Sequence, residues 1–110
     1  MNTRKILLTL TFVVLGILLV SFFWKNTFLL TLLIVGTTLL KHKILPINKE
    51  LLWFIITAFL GSSGESIIMS SGPWSYSLEN VINFPLWLPF LWGFAGTLGI
   101  SLYQGIIERP

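Results

Sequence analysis

All charged residues of this chain except Glu65 lie in short stretches that flank or separate four apolar segments, at about residues 6–23, 27–40, 51–71 and 85–107. A helix rises 1.5 Å per residue, so about 20 apolar residues cross a hydrocarbon core of about 30 Å. With 55% hydrophobic and 10% charged residues in 110, the chain has more apolar surface than a soluble domain of this size can bury. We predict an all-α, polytopic membrane protein with four transmembrane helices in a single membrane domain, residues 1–110.

The first two segments each leave an alternative open. Basic residues followed by the apolar run Ile6–Val20 resemble a signal peptide, but no small-residue cleavage site follows, which favours an uncleaved helix. The second segment, 27–40, is short for a span before it meets Lys41. It is either a span whose helix continues into Ile44 and Leu45, or a re-entrant or interfacial segment.

The basic residues predict the orientation of the chain. In a four-span arrangement only Lys25 lies on one side of the membrane, and the other side carries Arg4, Lys5, Lys41, Lys43, Lys49 and Arg109. Cytoplasmic loops carry the excess of Lys and Arg, so both termini are predicted to be cytoplasmic. We expect a multi-pass protein of the cell membrane (the inner or plasma membrane), with the connection 72–83 outside.

Glu65 is the most unusual residue, because it is a carboxylate inside the third apolar segment. An ionised Asp or Lys at the membrane centre costs about 2.5–3.5 kcal/mol on insertion scales, so such residues usually face a partner or a cavity. No basic residue lies within the third or fourth segment to pair with it. Glu65 is therefore a residue that locks a helix pair, a carboxylate that binds a ligand or substrate, or a carrier of protons or cations.

Small and polar residues share one face of each of the last two segments. The face of the third segment comprises Ala58, Gly61, Ser62, Glu65, Ser66, Met69 and Gly72. The face of the fourth comprises Gly93, Thr97, Ser101 and Gly105. Such small-xxx-small seams let membrane helices approach closely, so we predict that these faces pack together. Packing would place Glu65 near Ser62, Ser66 and an aromatic residue, either Trp92 or Tyr103.

Two aromatic runs lie close to Glu65 in the sequence, Gly72–Tyr76 and Pro85–Trp92. An aromatic belt at the level of the lipid headgroups is one explanation for them. The alternative is an outward-facing pocket around Glu65. Its walls would be Trp74, Tyr76, Trp87 and Trp92.

Several kinds of site find no support in the residues. His42 stands alone between two lysines, which favours a headgroup contact over a metal or catalytic role. The chain has no cluster with metal-ligand spacing, no Ser-His-acid set and no Gly-rich phosphate loop. We predict no metal and no cofactor, and we assign no catalytic residue. A net charge of +3 is too small to indicate nucleic acid.

Residues 64–92 carry a resemblance to known families. The motifs are Gly64-Glu65, Gly72-Pro73-Trp74-x-Tyr76 and Pro85-x-Trp87-x-Pro89-x-x-Trp92. They resemble those of a family of small bacterial integral membrane proteins with no assigned function. More distantly, the segment is similar to the carotenoid-biosynthesis membrane hydratases. That similarity implies that Glu65 corresponds to their membrane carboxylate and Tyr76 to their turn tyrosine. Their helix start would correspond to Pro85, Pro89 and Trp92.

These observations predict a small membrane protein that binds a lipophilic or amphipathic molecule in a pocket around Glu65, with membrane lipids as its surroundings. One alternative is a proton- or cation-coupled transporter subunit, as in the small multidrug-resistance proteins, which have four helices and one essential Glu but carry motifs that this chain lacks. The other is a lipid- or isoprenoid-modifying enzyme. A chain of this size that encloses a pathway is expected to form a homo-oligomer.

Overall fold

The computed structural model of the chain describes residues 1–109, which form four α-helices. The helices are α1 (Thr3–Phe23), α2 (Thr27–Ile44), α3 (Glu50–Met69) and α4 (Trp87–Ile107). Each is long and apolar enough to cross a membrane, and no strand forms within residues 1–109. The prediction of an all-α chain with four membrane-spanning helices is therefore confirmed.

Helix α2 extends beyond the apolar segment 27–40 and ends at Ile44. Its 18 residues span roughly 27 Å, which is enough for a crossing. In this extension Lys41 is fully buried, and its charge is compensated by Glu50 at 3.2 Å. Of the two alternatives for this segment, the helix that continues past Lys41 is the one observed.

The boundaries of α3 and α4 differ slightly from the predicted segments 51–71 and 85–107. Helix α3 ends at Met69, and the chain turns away at Gly72, whose φ is +99°. Glycine adopts this left-handed conformation without steric cost, and Pro73 cannot continue a helix. At the start of α4, the N–H of Leu88 donates to the carbonyl of Pro85 at 3.1 Å, so Pro85 lies in the turn before the helix.

Helix α4 is the central element, because α1, α2 and α3 all pack against it and α3 does so most extensively. Its side chains Phe94 and Leu98 are buried in the core. Phe12 of α1 meets Phe94 edge-on, with ring centroids 6.4 Å apart. Many large apolar side chains of α1, α2 and α3 are exposed instead, as expected of surfaces that face lipid.

Helices α3 and α4 approach closely at three glycines. A Cβ atom added at Gly93 would lie 2.7 Å from the ring of Phe54, and one added at Gly61 would overlap the ring of Trp92. At Gly96, an added Cβ would overlap Thr57. Small residues permit this approach, and in lipid such close packing drives helix association in place of the hydrophobic effect.

The predicted seam on α4 serves two partner helices. Gly93 faces α3, whereas Gly105 faces α1, where an added Cβ would lie 2.8 Å from Ile6. Thr97 and Ser101 lie between them and are almost fully buried. The small residues of α4 therefore contact α3 near the start of the helix and α1 near its end.

Both termini lie at the same end of the bundle. The backbone N–H of Asn2 donates to the carbonyl of Gly105 at 2.7 Å. Lys5 Nζ lies 2.7 Å from Glu108 Oε1, and the hydrogen bond from Lys5 lowers the pKa of the Glu108 carboxyl. The placement of this end in the cytoplasm stays a prediction from the basic residues.

The chain contains no cysteine, so single-cysteine variants report the orientation directly. We expect a membrane-impermeant maleimide to label Ser75→Cys in intact cells, because residue 75 lies in the connection predicted to be outside. Asn48→Cys, in the loop at the opposite end, is expected to react only after the cells are permeabilised. Labelling of Asn48→Cys alone in intact cells would reverse the predicted orientation.

Gly93 tests the close approach of α3 and α4. Gly93→Ala places a methyl group against the ring of Phe54, and we expect a loss of about 1–3 kcal/mol of stability from overpacking. Gly99→Ala is the matched control, because nothing lies within 4 Å of a Cβ added there on the same helix. Unfolding in detergent, followed by tryptophan fluorescence, gives both values, and equal stability of the two variants would contradict the packing.

Candidate functional site

Glu65 lies near the end of α3 that is remote from the chain termini. It is about 6 Å before the C-terminal residue of the helix, Met69. Its side chain is half-buried between the start of α4 and the connection that joins the two helices. Glu65 therefore lies close to this end of the bundle rather than at its middle.

Three aromatic side chains donate hydrogen bonds to the Glu65 carboxylate. Trp92 Nε1 donates to Oε2 at 2.7 Å, and Trp74 Nε1 donates to Oε1 at 3.3 Å. The hydroxyl of Tyr76 also donates to Oε1. An indole N–H only donates, so both carboxylate oxygens act as acceptors. We call Glu65, Trp74, Tyr76 and Trp92 the indole–carboxylate site.

Local structure explains how the site assembles. Trp92 reaches Glu65 because its ring lies across Gly61, about one helical turn before Glu65, where any larger side chain would overlap it. Trp74 and Tyr76 reach Glu65 because the chain reverses at Gly72. Gly61 and Gly72 thus allow hydrogen-bond donors from α4 and from the connection to reach the same carboxylate.

Trp87 supports the site without contacting the carboxylate in a hydrogen bond. Its ring meets Tyr76 edge-on, at 5.8 Å between centroids and an interplanar angle of 89°. This packing buries part of Tyr76. Burial, together with the hydrogen bond to Glu65 and the charge of Glu65, raises the pKa of the Tyr76 hydroxyl.

A second anchor fixes the connection to α3. Ser66 Oγ donates to Asn83 Oδ1 at 2.6 Å, and Asn83 Nδ2 donates to the carbonyl of Ser66 at 3.1 Å. The Ser66 hydroxyl therefore holds the connection in place and does not hydrogen-bond to the Glu65 carboxylate. Asn83 could not be selected from the sequence, because asparagine is common in connections of any kind.

Ser62 lies outside the indole–carboxylate site. Its hydroxyl is buried and has no hydrogen-bond partner within residues 1–109. It lines a groove of about 400 Å³ on α3, together with Phe84 and Pro89. Tyr103, the other aromatic residue considered for Glu65, is exposed and lies further along α4.

The cavities near the site lie beside the carboxylate rather than around it. One groove, of about 420 Å³, runs between α3 and α4 past Gly61 and Trp92. Another, of about 240 Å³, is lined by Tyr76 and Trp87. Glu65 lines neither of these two grooves. Trp74 and Trp92 remain 44% and 39% exposed, so the aromatic edge of the site is open to a molecule in the membrane.

The charge of the site is uncompensated by any basic side chain. Glu65 forms no ion pair within residues 1–109, where the carboxylates in ion pairs are Glu50 and Glu108. The described part of the chain also contains no group of three His, Cys, Asp or Glu side chains placed to hold a metal ion. The site thus combines one acidic group with exposed aromatic faces.

Sequence reasoning missed a second buried carboxylate, Glu50, at the opposite end of α3. Its Oε2 accepts from Lys41 Nζ at 3.2 Å, and its Oε1 accepts from the backbone N–H of Ile47 at 3.1 Å. His42 Nδ1 lies 2.9 Å from the same Oε1. The available signal was a lysine that ends one apolar segment and a glutamate that begins the next.

Comparison of the chain with protein-family models, with curated proteins and with solved structures gives no match. The interpretation of the site therefore rests on its own geometry.

The hydroxyl of Tyr76 reports the contact with Glu65. In a Tyr103→Phe background Tyr76 is the only tyrosine, so its ionisation is measured by phenolate absorbance during a pH titration. We expect Glu65→Gln to lower the pKa of Tyr76, because the variant removes the negative charge that opposes ionisation. The pKa should stay above its ordinary value, since burial persists, and an unchanged titration would contradict the contact.

Proposed function

We propose that this protein binds an amphipathic small molecule with a cationic head at the indole–carboxylate site. The observation that carries the proposal is a half-buried carboxylate without a basic partner, held by three aromatic donors of which two keep exposed rings. Binding an amphipathic molecule is the function that uses both features.

The chemistry of the site favours a cation over an anion or a neutral head. A cation over the face of a tryptophan gains about 0.5–2 kcal/mol, depending on how far it is desolvated. The carboxylate adds attraction between opposite charges, which is stronger at the edge of a membrane than in water. An anionic head would meet only repulsion from Glu65, since no basic side chain pairs with this residue within the described chain.

The groove between α3 and α4 supplies room for the apolar part of such a molecule. It measures about 420 Å³ and shares Trp92 with the indole–carboxylate site. Cavities that bind small molecules have about 300–1,000 Å³, so a short chain or ring system fits. Trp53, Ile56 and Leu60 give the groove apolar walls.

The transporter and the hydratase-like enzyme remain proposals that depend on the same Glu65. An acid catalyst needs a proton to give and a second group to handle water, whereas both oxygens of Glu65 accept hydrogen bonds. This supports binding more than catalysis. If the protein lies in the plasma or inner membrane with both termini in the cytoplasm, as the basic residues predict, the site opens toward the outside of the cell.

Binding is tested with two amphiphiles that share a tail, dodecyltrimethylammonium and dodecyl sulfate, each titrated below its micelle concentration while tryptophan fluorescence is recorded. We expect the wild type to prefer the cation and Glu65→Gln to bind it about tenfold more weakly, which corresponds to about 1.4 kcal/mol. Native mass spectrometry of protein purified in mild detergent would identify any molecule retained by the wild type.

Glu79→Gln is the matched control, because it removes the same charge from an exposed position in the connection between α3 and α4, which also carries Trp74 and Tyr76. We expect this variant to bind the cation as the wild type does. An equal response of both variants would mean that the charge acts nonspecifically. Equal binding by the wild type and Glu65→Gln would assign Glu65 to helix packing alone.

A further inference from the structure

A second apolar groove lies at the opposite end of the bundle, between α2 and α3. Both helices pack on α4 but make little contact with each other. The groove between them measures about 350 Å³. Its walls include Val35, Leu39, Leu51 and Phe54, and His42 and Glu50 lie at its polar end.

The acidic group at this groove is already neutralised. Glu50 is buried, and Lys41 pairs with it from a fully buried position. His42 Nδ1 donates to the same carboxylate, since a carboxylate oxygen only accepts. The other ring nitrogen of His42 has no hydrogen-bond partner within residues 1–109, and the side chain is 58% exposed. The polar end of the groove therefore repels no anion.

Two basic residues are sequence neighbours of the residues at this polar end. Lys43 follows His42 in the last turn of α2, and Lys49 precedes Glu50 at the start of α3. Both lysines are exposed, and neither forms an ion pair within residues 1–109. Lys5, in contrast, is paired with Glu108. The uncompensated charge beside the groove is therefore positive.

We propose that this groove binds an anionic phospholipid, with one acyl chain between α2 and α3 and the phosphate at Lys43, Lys49 and His42. From His42 to Val35 the groove follows about 10 Å of α2, a length that accommodates the part of an acyl chain nearest the headgroup. Lipid must fill a gap between helices in a membrane, and the basic end selects which lipid does so. Basic pockets between membrane helices bind anionic headgroups in this way.

The experiment is native mass spectrometry of the whole chain in mild detergent, with an equimolar mixture of phosphatidylglycerol and phosphatidylcholine that carry identical acyl chains. We expect the wild type to retain phosphatidylglycerol preferentially in a one-to-one complex. Lys43→Ala combined with Lys49→Ala is expected to reduce this preference about 25-fold, because each basic side chain near an anionic headgroup contributes about a factor of five. Both lysines are exposed, so we expect the helices to remain packed in this variant, as thermal unfolding would verify.

Arg4→Ala combined with Arg109→Ala is the control. It removes the same charge from exposed positions at the same end of the bundle, on α1 and after α4, and neither residue is a sequence neighbour of one that lines the groove. We expect it to keep the preference for phosphatidylglycerol. An equal loss in both double variants would show general attraction to anionic lipid and overturn the site, as would equal retention of the two lipids by the wild type.

Val35→Phe separates the groove from its charged end. The larger side chain occupies the space of an acyl chain, so we expect bound phosphatidylglycerol to fall while Lys43 and Lys49 stay in place. Thermal unfolding of this variant, compared with the wild type, verifies that the helices remain packed. A folded Val35→Phe variant with undiminished one-to-one binding would exclude the groove as the binding site.

Discussion

The close approach of α3 to α4 is the interaction on which the rest of the structure depends. Lipid gives two apolar helices no hydrophobic reason to associate, so van der Waals contact must hold them together. Gly61 and Gly93 permit that contact because each receives an aromatic ring where a side chain would otherwise stand. The ring over Gly61 is Trp92, and its N–H reaches Glu65. The contact that packs α3 against α4 therefore also positions Trp92 in the indole–carboxylate site.

The two carboxylates of α3, one near each end of the helix, are hydrogen-bonded in different ways. Glu50 is paired with a lysine and a histidine, so its charge is cancelled within the bundle. Glu65 receives neutral donors only, so its hydrogen bonds are satisfied while its charge is not. A neutralised carboxylate beside free lysines suits an anionic headgroup, whereas an uncompensated one beside indole rings suits a cation. The chemistry proposed for each end follows from this difference.

Particular residues show how far sequence reasoning reached. The aromatic runs near Glu65 indicated Trp74, Tyr76, Trp87 and Trp92, and all of these except Trp87 donate hydrogen bonds to its carboxylate. The seam of small residues on α4 was recognised as a packing surface, but its division between α3 and α1 was not, because a stripe does not specify which neighbours it meets. Asn83 was missed because it acts through Ser66, which is distant in sequence. Glu50 was missed because a glutamate between two apolar segments is expected in a solvated loop, whereas it is buried against Lys41 and His42.

The sequence by itself determined the number of helices, their approximate bounds and the presence of one exceptional carboxylate, because apolar length and charge placement are local properties. Only the tertiary structure decided that α4 is central, that Lys41 lies inside the bundle, and that the hydroxyls of Ser62 and Ser66 form no hydrogen bond with Glu65. These features depend on which faces meet across the bundle. Helix rotation and the path of the 70–86 connection set those faces, and neither is encoded in the periodicity of a single segment.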